Sequence, residues 1–226
     1  MQLHIRHRSL YVAFDFLPRV CPCGAIVEPE DQFDHFHVCP KLAGARTIRH
    51  DKVSGSVAEV VQTAGSDNVA IEQHGAITKG DILAIFADDA FRIDTVITHP
   101  PAPAYRDRGA ATQPLWAAKQ KEKIKARSLR APAAHIGACP QPFAIETLGG
   151  LGPKTKEFMQ SLYKRVRDGP DADIAQSFPV YAAQKISVSL QKWNAFVVRR
   201  GALLMRYFEI AGKCPRWIRR SRREYA

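Results

Sequence analysis

Residues 69–98 constrain the fold more than any other stretch of this chain. Three short strand-like runs follow one another there: Val69-Ala-Ile-Glu-Gln73, Asp81-Ile-Leu-Ala-Ile-Phe86 and Phe91-Arg-Ile-Asp-Thr-Val-Ile-Thr98. Ala87-Asp-Asp-Ala90 leaves room only for a tight turn, so the last two runs are expected to pair. Upstream, Val53, Val57, Val60, Val61 and Ala64 recur at the spacing of one helical face, which Gly65 can close. Downstream come a proline-rich loop over 99–114, a helix from Leu115 to about Leu129, and a fourth strand over Gln141–Thr147. Gly149-Gly-Leu-Gly-Pro153 then turns into a helix over 154–167, and a last helix follows over 175–212. Helix, three-strand meander, helix and strand make a compact mixed α/β sheet with helices on its faces.

Two aspartates stand out against that frame. Asp81 opens the second strand, and Asp94 interrupts the otherwise apolar third. Pairing of those strands brings the two carboxylates together, where they repel each other. A divalent cation removes the repulsion, and carboxylate oxygens are the ligands that Mg²⁺ or Mn²⁺ prefers. The alternative is that Asp81 ends a turn and Asp94 faces solvent; the apolar neighbours of Asp94 count against it. In the helix that follows, Lys119, Lys121, Lys123 and Lys125 alternate around the axis, so most of them are solvated surface. With Ala117 and Ile124 taken as the buried side, Lys121 lies about 60° from the core direction, and Lys123 and Lys125 about 100°. Lys121 is therefore the lysine expected to lay its stem along the core and present its ammonium to orient water or offset developing charge.

The five cysteines are unevenly placed. Cys21, Cys23 and Cys39 cluster, while Cys139 and Cys214 stand apart, which suits a local metal site better than a disulfide framework. Three thiolates and one imidazole would complete tetrahedral Zn²⁺. His35, four residues before Cys39, is the better placed imidazole; His37 is only two away. Buried cysteines without a ligand are the alternative.

Thirty-three Lys and Arg oppose 22 Asp and Glu among 226 residues, a net charge of +11. That excess favours a polyanionic partner, DNA first and RNA second. From Gln191 to the end, ten Lys or Arg face two Glu, with Trp193, Tyr207, Phe208, Trp217 and Tyr225 among them, which suits phosphate contacts with stacking. No window reaches the roughly 18 apolar residues of a membrane span. The expectation is a soluble intracellular protein, nuclear in a eukaryotic cell. Three segments are expected: residues 1–45 with the Cys/His cluster, 46–170 with the sheet, and a helical basic extension over 171–226.

Taken in order, these motifs resemble the C-terminal part of early-branching non-LTR retrotransposon proteins. The resemblance runs from about residue 15 to 200. It is carried by Cys21/Cys23/His35/Cys39, Gly44–Asp51, Lys79-Gly-Asp81 with Asp94, Pro142–Gly150 and Ile186–Ala195. It implies a CCHC zinc knuckle followed by a restriction-endonuclease-like domain of the PD-(D/E)xK class. Asp81 and Asp94 would then be catalytic metal ligands and Lys121 the catalytic lysine. Gly80 stands where the family has proline, and Val96 where a (D/E)xK lysine would fall; the resembled group carries its lysine in the following helix. The function implied is metal-dependent hydrolysis of phosphodiester bonds in DNA. The alternatives are a non-catalytic zinc-containing nucleic-acid-binding module and a degenerate retroelement fragment.

Overall fold

A computed structural model describes residues 17–71, 80–170 and 172–212. Lys79, Gln73, Cys214, Trp217 and Tyr225 lie outside these residues. The described residues divide into two compact units, one within residues 50–192 and the other formed by residues 17–49 and 193–212.

The larger unit is built on a four-stranded sheet in the order β1-β2-β3-β4: β1 Asn68–Ile71, β2 Ile82–Ile85, β3 Ala90–Thr98 and β4 Cys139–Glu146. The first three strands form an antiparallel meander, and β4 runs parallel to β3. Parallel strands need a long crossover, supplied here by the helix Trp116–His135. In chain order the helices are α1 (Gln32–Val38), α2 (Ala43–Thr63), α3 (Trp116–His135), α4 (Pro153–Asp168) and α5 (Phe178–Ala211). The expected strands and helices are all present, and the fold is α/β with a mixed sheet. Among the described residues no helix is long and apolar enough to cross a membrane.

Strand alternation sorts the two faces of the sheet. Ile82, Ala84, Ile93, Phe143 and Ile145 point into one core, with Val53, Val57, Val60 and Val61 of α2, Phe158 and Leu162 of α4, and Phe178, Ala182, Ile186 and Leu190 of α5. These last four residues explain where the units divide: α5 contributes to the sheet core as far as Lys192, instead of starting a separate extension at 171.

The other face carries α3, which packs on β3 and β4. Its buried residues are Ala117, Ala118, Glu122, Leu129 and Ala133, and Ile124 is 54% exposed. The buried side therefore differs from the expected one. An apolar residue on a crossover helix is a poor guide to its inner face when alanines and a buried glutamate make the close contact. The helix also passes Pro132 and ends at His135, with Leu129 and Ala133 fully buried on either side of the proline. That packing outweighs the lost backbone hydrogen bond. The proline-rich loop contains two short helical segments, Pro103–Tyr105 and Arg106–Ala110.

Glu122 ties the crossover to the next helix. Its Oε1 accepts from the Thr155 N–H at 2.9 Å and the Thr155 hydroxyl at 3.0 Å, and its Oε2 from the Lys154 N–H at 3.2 Å. A buried carboxylate thus meets the otherwise unpaired donors at the N-terminus of α4. Gly152 permits the approach, since a Cβ there would stand 2.1 Å from Glu122 Oε1. Gly152→Ala and Glu122→Ala are each expected to destabilise the sheet unit by about 2–3 kcal/mol. Urea unfolding checks this; an unchanged midpoint would mean the cap contributes nothing.

Candidate metal centres

The smaller unit places the Cys/His cluster on a short bridge and a short helix. Val20 and Ile26 pair across the turn that carries Cys21 and Cys23, while α1 supplies His35 and ends at Cys39. The Cys39 N–H donates to the His35 carbonyl at 2.7 Å, so one helical turn sets the spacing of those two ligands. The four ligand atoms of Cys21, Cys23, His35 and Cys39 all lie within 4.8 Å of one another. Cys21 Sγ and Cys39 Sγ are 3.7 Å apart, and Cys23 Sγ lies 3.6 Å from His35 Nε2. Tetrahedral zinc with bonds of about 2.3 Å to sulfur and 2.0–2.1 Å to nitrogen requires separations of about 3.8 Å and 3.6 Å. The donor set and its spacing fit Zn²⁺.

The electrostatics agree. The hydrogen bond to Cys39, with burial behind it, holds the Cys21 thiol well above its ordinary range, while the same bond lowers Cys39 to about 4. Two thiols this close share one proton, and a cation is needed before both can ionise. The other histidine is used elsewhere: His37 Nδ1 lies 2.8 Å from Arg49, which also donates to Asn194 at 2.9 Å. Leu17, Val27, Phe36, Leu42, Leu204 and Met205 complete a small core around the cysteines. The chain is expected to carry one zinc, released by a strong chelator with loss of this core. Cys39→Ser is expected to bind none; metal analysis of the purified protein measures both.

In the sheet unit, Asp81 and Asp94 come together at the end of β2. Asp81 donates its N–H to the Ile93 carbonyl at 2.9 Å, and its Oδ2 accepts from the Thr95 N–H at 2.6 Å, so its contacts bracket Asp94. Asp94 is 6% exposed and faces α3. Burial raises its pKa, the Lys125 ammonium opposes that rise, and the Asp81 charge adds to it.

Lys125, and not Lys121, meets Asp94. Its Nζ stands 2.8 Å from both carboxylate oxygens. With Ala117, Ala118, Glu122, Leu129 and Ala133 defining the inner face, Lys125 falls about 30° from its centre and Lys121 about 70° at 100° per residue. The expected register was displaced by taking Ile124 as buried.

Two further residues bear on the site, His50 from within the Gly44–Asp51 motif and Gly80 from the position where the resembled pattern has proline. His50 on α2 reaches the Thr95 carbonyl at 2.9 Å and Asp81 Oδ2 at 3.2 Å through Nε2, and Asp51 at 3.1 Å through Nδ1. Among the described residues the partners of the ring are acceptors at both nitrogens, an arrangement that favours the imidazolium. Burial opposes that charge, but the hydrogen bonds to Asp51 and Asp81 raise the His50 pKa to about 10. Gly80 is the second. Its φ of +132° is closed to proline, and a Cβ there would lie 2.8 Å from Arg92 Nε, so the buried Arg92 side chain explains this departure from the resembled pattern. Glu59, also on α2, was open to an outer role at the metal site or to a place on the surface; it pairs with Lys185 on the surface.

Among the described residues the cysteine cluster is the only group of three or more convergent metal-ligating side chains; the aspartates offer two. No family model matches the chain, and no curated protein matches it in sequence.

Because the folded pKa of His50 is raised, its contribution to stability is full below its ordinary value near 6.5 and is lost as pH rises through about 10. The thermal midpoint of the wild type is expected to fall toward that of His50→Gln across this window. Parallel curves at all pH values would show that the imidazolium contributes nothing.

Proposed function

We propose that the chain is a metal-dependent DNA endonuclease-like domain of retroelement origin, with Asp81, Asp94 and Lys125 at its centre and the zinc cluster as a nucleic-acid-binding appendage. The observation that carries this reading is the Lys125–Asp94 contact beside Asp81. Two carboxylates at the end of a meander and a lysine from the following helix are the parts that a restriction-endonuclease-like core uses. The order of α2, three antiparallel strands, α3 and a parallel β4 supports the same reading.

The residues suit a divalent cation, with one condition. Asp81 Oδ1 has no partner among the described residues, whereas both oxygens of Asp94 lie on Lys125. Mg²⁺ or Mn²⁺ at this pair would activate water and offset charge on the scissile phosphate. Lys125 must first leave Asp94, and a phosphodiester oxygen is the natural acceptor for its ammonium. His50 and the Thr95 N–H hold Asp81 Oδ2 in place, which leaves Oδ1 as the oxygen that would ligate. Substrate binding would therefore free Asp94, and Asp81 and Asp94 would then hold the cation beside the phosphate.

A second reading is favoured by one observation: Lys125 and His50 already neutralise both carboxylates. On that reading the four residues are a structural charge network in a non-catalytic zinc-containing nucleic-acid-binding module.

Nicking of supercoiled plasmid by the full chain in Mn²⁺ separates the two. Asp94→Asn and Lys125→Met are expected to lose about 100-fold in rate, and Lys121→Met less than about twofold. Lys125→Met, with its competing ammonium gone, is expected to bind Mn²⁺ without DNA about tenfold more tightly than the wild type. Absence of nicking, with Mn²⁺ affinity unchanged in every variant, supports the second reading and contradicts the first.

A further inference from the structure

The outer side of α3 holds a feature that neither metal centre uses. Lys119, Lys123, Arg127 and Arg130 are all exposed. At 100° and 1.5 Å per residue they fall within an arc of about 80° and form a ridge about 16 Å long. The lysine run is thus not spread evenly around the helix: two of its members join two arginines in one stripe, while Lys125 turns inward to Asp94.

None of the four ridge cations has an ion pair among the described residues. Elsewhere in the same unit Arg106, Lys154, Arg165, Arg167 and Lys185 each pair with an acid. The helix itself offers no relief, because its single acid, Glu122, is buried with both oxygens occupied by α4. Lys119–Lys123 and Lys123–Arg127 are like charges at i,i+4, and Arg127–Arg130 at i,i+3, an arrangement that repels along the helix. A polyanion lying on the ridge would reverse that repulsion.

We propose that this ridge is a docking surface for the phosphodiester backbone of duplex DNA, separate from the Asp81–Asp94 centre on the opposite side of the same helix. The chemistry favours phosphates over an acidic protein. Protein interfaces centre on aromatic and apolar anchors and are depleted in lysine, and between Lys119 and Arg130 the exposed arc presents cations without such an anchor. It also favours a duplex over a single strand, because no aromatic side chain lies between Lys119 and Arg130, and Trp116 at the head of the helix is half-buried against Tyr105. Contacts of this kind position the nucleic acid without reading its sequence. The inference rests on the nucleic-acid part of the proposed function and does not require cleavage.

The test is the salt dependence of binding to a labelled duplex by fluorescence anisotropy, using the full zinc-loaded chain. K119Q/K123Q/R127Q/R130Q is expected to reduce the slope of log K against log salt by about 3–4, at roughly 0.9 per phosphate contact. K119Q/K123Q and R127Q/R130Q should each remove about half of that, which keeps the test valid if the fourfold variant folds poorly. The thermal midpoints of the two double variants should not fall, since like-charge neighbours have been removed. Binding is measured without added Mg²⁺ or Mn²⁺, so that the ridge is read apart from cleavage, and Lys185→Gln, whose ammonium already pairs with Glu59, should leave the slope unchanged. An unchanged slope in the double variants overturns the proposal, as does polyglutamate competing as well as unlabelled duplex.

Discussion

Asp94 lies beneath a helix, and much of the sheet unit follows from how that charge is met. Parallel pairing of β3 with β4 requires a crossover, and α3 lies over the face to which Asp94 points. A carboxylate placed there loses water and must be paired. Lys125 supplies the pair from one turn before the fully buried Leu129. With Lys125 directed inward, Glu122 also faces inward and can cap α4, while Lys119, Lys123, Arg127 and Arg130 are turned to solvent. One helical register thus sets the ion pair, the cap and the basic ridge.

The two candidate metal centres differ in what they need. In the cysteine cluster, sulfurs 3.7 Å apart share a proton and become fully ionised only around a cation, so zinc bound there would be part of the fold. At the aspartates, an ammonium and an imidazolium already balance two carboxylates. On the proposed reading, a divalent cation at that place would exchange with a protein cation instead of filling an otherwise uncompensated charge. Such a site would need no metal for its fold and would become competent when a phosphate draws the lysine away.

Most of the architecture was legible because it rests on short-range patterns. Helical spacing in Val53–Ala64, the four-residue turn between β2 and β3, and the Gly-Pro entry to α4 each report local geometry. His35 could be told from His37 by the reach of one helical turn to Cys39. What was not legible depends on tertiary contact. The inner face of α3 is made by alanines and a buried glutamate, so Ile124 pointed to the wrong side and Lys121 was preferred to Lys125. His50 stood within a motif, but its link to Asp81 and Thr95 depends on α2 crossing the end of β2. Gly80 looked like a departure from the resembled pattern until Arg92 was seen to occupy the space beside it.

The most direct test of the central claim, a cation-exchange site at Asp81 and Asp94, is to map where a divalent cation sits on the zinc-loaded chain. Fe²⁺ in place of Mg²⁺, with ascorbate and peroxide, cleaves a polypeptide next to the bound metal. The account predicts cuts close to residues 81 and 94 when duplex DNA is present, weaker cuts without it, and none in Asp94→Asn. Cleavage confined to the cysteine cluster, or an identical pattern in wild type and Asp94→Asn, would contradict it.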